Sequence, residues 1–324
     1  MCGICGFTGY RQDQKTVIER MMKAIEHRGP DSEGSFCREK ITLGFRRLSI
    51  IDLEDGQQPM ESADGNLHIV FNGEIYDYKE LRAELEDSGI SFCTHSDTEV
   101  LVNTIQQYGE KALDKLRGMF GFAVWNEQEQ TLMLARDFFG IKPVYYAEID
   151  GHFVFASEIK SILAFPGYER KVNQKALEQY LSFQYAPLEE TFFKGIYKLM
   201  PGHMLLYKNG NYEIKTYFKT KLTPGKWNRK TNMDQLRSQL AEILKDSVKH
   251  HMLSDVEVGA FLSGGVDSGY LASASGADQA FTVGFDEGDR YSEVNKAAKV
   301  AEKAGLKHHV KIISKQEFWD ALPD

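Results

Sequence analysis

Residues 1–15 read MCGICGFTGYRQDQK. Cys2 follows the initiator methionine, and trimming is expected to remove Met1 because the next side chain is small. Cys2 would then carry both a thiol and a free α-amine. An N-terminal nucleophile can use its own amine as general base, and an amine pKa near ~7.7–8 suits that task. The stretch lacks a basic segment followed by a long apolar run, so it is not expected to be a signal peptide. Cys2-Gly3-Ile4-Cys5 also has the C-x-x-C spacing of a redox or metal pair. Zinc sites need a second ligand pair, however, and thioredoxin-like motifs open a helix; neither context is met here. An incidental buried thiol remains open on this stretch alone.

Outward from Cys2, residues 1–215 read as a strand-rich α+β domain. Ile41–Asp52 and Asn66–Tyr76 are β-type runs, and Phe120–Arg136 holds two strand-like halves around Asn126–Gln130. Asp150-Gly151 and Asn209-Gly210 each sit between apolar runs, a strong hairpin signal. Val17, Ile18, Met21, Met22 and Ile25 form a helical core stripe, and a second helix is expected over Glu99–Tyr108.

Three segments could serve Cys2. Asn72-Gly73-Glu74 ends the apolar run Asn66–Phe71. An Asn amide beside a glycine N–H can converge two donors on one oxyanion, although Asn-Gly is also a common turn. Arg47 lies within an apolar run, where a buried-edge arginine usually pairs with a carboxylate such as the one on the α-carbon of glutamine. Asp97 could answer the α-ammonium.

Cys2-Gly3-Ile4, His27-Arg28-Gly29-Pro30-Asp31, Arg47-Leu48-Ser49-Ile50, Asn72-Gly73-Glu74-Ile75-Tyr76 and Ser96-Asp97-Thr98-Glu99 occur in order. Together they resemble class II, N-terminal-nucleophile glutamine amidotransferases over essentially all of residues 1–210. The resemblance implies that Cys2 attacks the glutamine amide and that Asn72 and the Gly73 N–H form the oxyanion hole. It implies that Arg47 holds the α-carboxylate and that Asp97 and Glu74 hold the amino end. The backbone of Leu48, Ser49, Ile50 and Ile51 would line the pocket. In such proteins the amine is the base, so His27 reads as structural.

Lys219–Met233 is polar and broken by Pro224 and Gly225, so residues 216–233 read as a linker. An amphipathic helix follows, with apolar positions Leu236, Leu240, Ile243, Leu244, Val248 and Met252. Val258–Leu262, Gln279–Phe285 and His308–Ile313 read as strands alternating with helices over Gly269–Ser275 and Ser292–Gly305. That rhythm predicts a parallel α/β sheet over 234–324. Three strands make a partial sheet, so this domain is expected to be incomplete.

Ser263-Gly264-Gly265-Val266-Asp267-Ser268 joins the first of these strands to a helix. Its glycines and the helix N-terminus can cradle phosphate, Ser263 and Ser268 can donate hydroxyls, and Asp267 would need Mg²⁺ as intermediary. No lysine follows, which excludes a Walker loop; a plain capped turn stays open. The loop resembles the pyrophosphate loop of ATP-pyrophosphatases, and a glutaminase joined to one looks like glutamine-dependent asparagine synthetase. That resemblance implies an N-terminal-nucleophile hydrolase sandwich followed by the start of an ATP-pyrophosphatase domain. It implies glutamine, aspartate and ATP as substrates, with Leu262, Val283 and Gly284 touching the adenosine. It implies Mg²⁺ and no tightly bound organic cofactor; a homodimer is common among such enzymes. The alternatives are a glutaminase feeding another ATP-dependent amidation, a chain active only as a glutaminase, and a fragment that only binds.

The composition agrees with a globular enzyme. Of 324 residues 42% are hydrophobic and 27% charged, and 39 basic against 47 acidic side chains give a net charge of −8. This offers no electrostatic case for nucleic acid or anionic membrane. No run of about 18 apolar residues is present. Four scattered cysteines point to free thiols in a reducing compartment, the cytoplasm.

Overall fold

Short apolar runs broken by turn residues build the strands that carry the fold. The computed structural model describes residues 1–222, 232–286 and 292–322. Contacts divide the chain into two units, Met1–Leu222 and Thr223–Asp324. Of the expected linker 216–233, residues 223–231 lie outside the described residues, as do 323 and 324, while Thr216 ends a strand and Met233 opens a helix.

The first unit runs β1 (Gly3–Thr8), α1 (Gln14–Lys23), β2 (Ser32–Cys37), β3 (Ile41–Arg47), β4 (Met60–Glu61) and β5 (Leu67–Ile75). It continues with α2 (Tyr78–Asp87), α3 (Asp97–Tyr108), β6 (Gly118–Asn126), β7 (Thr131–Arg136), β8 (Tyr145–Ile149) and β9 (His152–Ala156). It closes with α4 (Ile159–Leu163), α5 (Gln174–Phe183), β10 (Ile196–Lys198), β11 (His203–Lys208) and β12 (Asn211–Thr216).

These strands form two six-stranded antiparallel sheets, β10-β8-β9-β1-β3-β2 and β12-β11-β7-β6-β5-β4. The period of two decides what each strand buries. In β3, Ile41, Leu43 and Phe45 enter the layer between the sheets, where Val70 of β5 meets them. In β1, Ile4 faces this layer, while Cys5 and Phe7 face α1 and α4. In β5, Ile69, Phe71 and Ile75 face α2 and α3. The result is a four-layer sandwich, helices–sheet–sheet–helices. Asp150-Gly151 and Asn209-Gly210 close two hairpins with both residues at positive φ, the backbone that primed two-residue turns require.

Two sequence expectations shift here. The run Ile41–Asp52 is a strand only to Arg47; beyond it the chain leaves the sheet and reaches Asp52 at φ 51°. Asn72-Gly73-Glu74, left open as a turn, falls within the strand that the run Asn66–Tyr76 predicts. It lies inside β5, paired with Gly121, Phe120 and Met119, which excludes the turn.

The second unit holds α6 (Met233–His251), β13 (Ala260–Phe261), α7 (Val266–Ser275), β14 (Gln279–Phe285), α8 (Val294–Ala304), β15 (Lys307–Ile313) and α9 (Lys315–Asp320). Its three strands are parallel in the order β13-β14-β15, as the strand–helix alternation predicts. Ala272, Ala280, Ala297 and Ala301 pack the helix side around Leu262. Phe261, Phe281, Val283 and Phe285, on the opposite face, are exposed. The stripe expected to bury α6 is mostly exposed too: Leu240, Ile243 and Leu244 face outward and only Val248 is buried.

Candidate active site

The alternation that packs the sandwich also assembles the site. Cys2 has the parity of Ile4, and Asn72 and Glu74 that of Val70, so all three face the layer between the sheets. Arg47 has the parity of Phe45 and does the same, while Arg46 points the other way to Glu33 and Glu26. A cavity of about 220 Å³ opens there, lined among others by Met1, Cys2, Arg47, Asn72, Glu74, Asp97 and Lys142. That is below the ~300–1,000 Å³ of drug-sized ligand sites and suits a single amino acid. A larger groove of about 590 Å³, on the outer face of the second sheet, includes Gln106 and Glu110 but none of these groups.

Cys2 Sγ lies 3.4 Å from the Leu48 amide, which donates to it, and 3.5 Å from the Leu48 carbonyl. Burial pushes the thiol pKa up, while the Leu48 amide, the N-terminal ammonium and Arg47 act against it. Burial, with help from Arg28 and Lys142, pushes the α-amine of Met1 down. Cys5 sits fully buried among the α1 side chains with its thiol pushed up to about 12, so the C-x-x-C spacing makes no pair. All four cysteines are free.

Asn72 is 1% exposed. With its amide oriented so that both ends are satisfied, Nδ2 donates to the Cys2 carbonyl (3.1 Å) and Oδ1 accepts from Arg28 (3.3 Å). One Nδ2 hydrogen is left for a ligand. The Gly73 N–H follows from the ladder. Phe71 N donates to Gln58 Oε1 (2.6 Å) and Ile75 N to Asp97 Oδ2 (3.0 Å), both on the side of β5 away from β6. Gly73 lies between them, and its N–H points the same way, into the cavity. A Cβ at Gly73 would meet the Met119 carbonyl at 2.2 Å. If Asn72 serves as an oxyanion donor, Asn72→Ala is expected to lower kcat of the reaction at Cys2 by ~10²–10³ with a smaller change in KM.

Arg47 is buried, and its guanidinium donates to the carbonyls of Leu53 (3.2 Å), Ile51 (3.4 Å) and Asp52. These bonds fix the plane of the fork without neutralising it. Gly56 permits this packing, since a Cβ there would sit 2.5 Å from the guanidinium. Leu48, Ile50 and Ile51 line the cavity. Ser49 does not; its amide donates to Asp31 (2.8 Å).

Asp97 opens α3 after the capping residue Ser96, whose Oγ accepts from Thr98 N. Burial pushes its carboxyl up to about 7, with the charge of Glu74 adding and the Ile75 and Thr98 amides opposing.

Two residues escaped the sequence reading. Arg28 lay in a quoted motif without a role; it is 9% exposed and donates from Nε to the Cys2 carbonyl (2.9 Å). Lys142 is 6% exposed, lines the cavity and lies 3.3 Å from Met1 Sδ. Its one sequence signal is a lone lysine between apolar residues before Pro143. Asp137 delivers it: this buried carboxylate accepts from the amides of Phe120 (3.3 Å), Phe139 (3.1 Å), Ile141 (2.9 Å) and Lys142 (2.8 Å). Asp137→Ala leaves those amides unpaired and is expected to cost ~3–5 kcal/mol, measured by urea denaturation.

In the second unit, Ser263-Gly264-Gly265 leaves the carboxyl end of β13, and Gly265 caps α7. Ser263 and Ser268 hydroxyls lie 2.9 Å apart. Gly264 has φ +77°, and a Cβ there would meet Lys296 Cβ at 2.6 Å. Leu262 is buried, with its amide donating to Phe281 O (2.9 Å). Gly284 packs under Val294 and Ile312, whereas the Val283 side chain points to the bare face. Asp267 is exposed. Among the described residues there is no cluster of three or more His, Cys, Asp or Glu that could hold a metal, and no helix is long and apolar enough to cross a membrane.

A sandwich of two antiparallel sheets between helices, with a second-position cysteine opening into an amino-acid-sized cavity, is the architecture of a glutamine amidotransferase domain. The chain belongs to the family carrying a glutamine amidotransferase domain, whose model matches residues 1–218; the asparagine synthase model matches residues 239–324. It is similar to asparagine synthetase [glutamine-hydrolyzing] 1 of Bacillus subtilis (strain 168), 43% identical over 333 residues that cover 99% of this chain and 52% of the relative. Amidase chry2 of Gibberella zeae is 33% identical over 344 residues, covering 96% of this chain and 50% of that protein. The chain spans about half the length of these curated relatives. In fold it resembles glutamine phosphoribosylpyrophosphate amidotransferase from B. subtilis, with a TM-score of 0.52 at 18% identity, covering 95% of this chain and 65% of the other.

Proposed function

We propose that the chain carries the glutaminase half and the start of the synthetase half of a glutamine-hydrolysing asparagine synthase. The carrying observation is the placement of Cys2 at a cavity with Arg47, which among the described residues hydrogen-bonds only carbonyls, and the buried Asp97 both in its wall. These two match the ends of a zwitterionic amino acid, and Glu74 shares the amino end with Asp97.

With Met1 removed, the Cys2 amine takes the thiol proton and the thiolate attacks the carboxamide carbon. Asn72 Nδ2 and the Gly73 N–H receive the oxyanion. The ammonium then returns the proton to the leaving nitrogen, which departs as ammonia, and water cleaves the thioester to glutamate. In the second half, ammonia attacks β-aspartyl-AMP made from aspartate and ATP, giving asparagine, AMP and pyrophosphate.

Support for the ATP reading comes from the asparagine synthase match over 239–324 and from the position of Leu262–Ser268 and Gly284 at the carboxyl edge of a parallel sheet, where such sheets take ligands. Asp267, Ser263, Ser268 and the α7 amides would face the phosphates. A single exposed carboxylate beside such a loop fits Mg²⁺, which takes one or two carboxylates together with phosphate oxygens; the ion would neutralise phosphate charge there. A cytoplasmic homodimer without a nucleic-acid or membrane partner completes the proposal. A second reading keeps the glutaminase and changes the acceptor, and the similarity to a fungal amidase favours it.

Glutamate release from glutamine by the purified chain, with intact mass reporting the loss of Met1, tests the first half. No release from a correctly processed chain sinks it. Asparagine and pyrophosphate formed with ATP, Mg²⁺ and aspartate test the second; pyrophosphate made only with another acceptor would favour the amidating alternative.

A further inference from the structure

The corner between β9 and α4 is tied to the nucleophile strand twice. Ile4 N donates to Ser157 Oγ (3.0 Å) and Ser157 N donates to the Ile4 carbonyl (2.8 Å). The next residue, Glu158, reaches from this fixed corner to Arg28, whose Nη1 donates to its Oε1 at 2.8 Å. His27 Nε2 lies 3.0 Å from the same oxygen, and Lys160 Nζ 3.5 Å from the other. Burial raises the Glu158 pKa, but the bonds from Arg28 and His27 outweigh it and hold the carboxyl below its usual range.

Arg28 is a rigid planar fork. Its three nitrogens go to three partners: Nε to the Cys2 carbonyl, Nη1 to Glu158 and Nη2 to Asn72 Oδ1. The last bond decides which end of the Asn72 amide faces the cavity. A guanidinium at Oδ1 forces Nδ2 toward Cys2, the orientation an oxyanion needs. Fixing one arm of a planar group fixes the other two, and Glu158 is the only carboxylate ion-paired with Arg28 among the described residues.

We propose that Glu158 is a positioning residue for glutamine hydrolysis: acting through Arg28, it sets the Cys2 carbonyl and the amide orientation of Asn72. This rests on the glutaminase reading above. Glu158 does not line the cavity, so its loss should leave glutamine binding to Arg47 and Asp97 intact while misaligning the oxyanion donors. Misplacement on that scale costs about 10²-fold in rate.

The test compares the parent with Glu158→Ala and Glu158→Gln, the latter keeping an oxygen acceptor for Arg28 and a near-identical shape. Three quantities are read: kcat and KM for glutamate release, and the rate of Cys2 alkylation by iodoacetamide, followed on the N-terminal peptide. Alkylation uses the thiolate but needs no oxyanion donor. The expected result is kcat lower by about 10²-fold in Glu158→Ala and about 10-fold in Glu158→Gln, with KM and alkylation within about 3-fold of the parent. Unchanged kcat in Glu158→Ala overturns the proposal. So does a parallel loss in kcat, KM and alkylation in both variants, which is what a general structural role would give. A processed parent that releases no glutamate overturns the glutaminase reading and this inference with it; a working parent with unaffected variants overturns the inference alone.

Discussion

Cys2→Ala is expected to abolish glutamate release from glutamine, lowering kcat by ~10⁴-fold or more, the scale on which removal of a covalent nucleophile acts. The fold should survive, because the partly buried thiol bonds Leu48 and packs only at the margin of the layer between the sheets, and such truncations cost about 1 kcal/mol. The variant keeps the free amine, the oxyanion donors and the cavity, so glutamine should still bind with KM-like affinity in a displacement assay. Full activity in Cys2→Ala would remove the nucleophile from the account; lost binding together with lost activity would assign the cysteine to packing.

The second large effect concerns pH. Asp97, with its carboxyl pushed up to about 7 by burial, is protonated in the empty cavity at lower pH and can hold an ammonium only when ionised. KM for glutamine is therefore expected to rise below pH 7, approaching tenfold per unit, while kcat changes less. Asp97→Asn should flatten that profile and raise KM at pH 8 by about 10²-fold, the cost of losing a buried charge-assisted bond. Stability runs the other way. The folded pKa lies above the unfolded ~3.9, so the contribution of Asp97 to stability is complete below about pH 4 and is lost as pH rises through about 7. Asp97→Asn should consequently be more stable than the parent at pH 8, by ~2–4 kcal/mol, with the advantage vanishing near pH 4. Urea melts at the two pH values check the sign. A binding group that destabilises its own fold when charged is a common compromise at active sites.

How much of this was legible in the sequence depended on where the signal lay. Asp150-Gly151 and Asn209-Gly210 announced their hairpins because the dipeptides are chosen for positive φ. Cys2, Asn72 and Arg47 were found because each is an odd residue in an apolar context. Their common direction was not found, since it depends on parity across two strands that meet only in the folded sheet. Arg28 stood in a quoted motif without a role: its partners are Glu158, Asn72 and the carbonyl of Cys2, and nothing local marks a bond across 130 residues. The strand expected over Ile41–Asp52 ends at Arg47 because Leu48, Ile50 and Ile51 are apolar for a different reason, lining a cavity instead of filling a sheet. In the second unit the sequence rhythm located all three strands, yet the α6 stripe that looked like core is mostly exposed.

Met1 is itself part of the cavity wall, with its sulfur against Lys142. On the proposed mechanism, the cut that would supply the base at Cys2 would also remove this side chain from the wall. A folded chain that keeps Met1 would then lack the free Cys2 amine and stay silent, so activity is expected to follow processing and not folding. An affinity tag fused ahead of Met1 should lock that silent form permanently, whereas a tag at the far end should leave it free to mature.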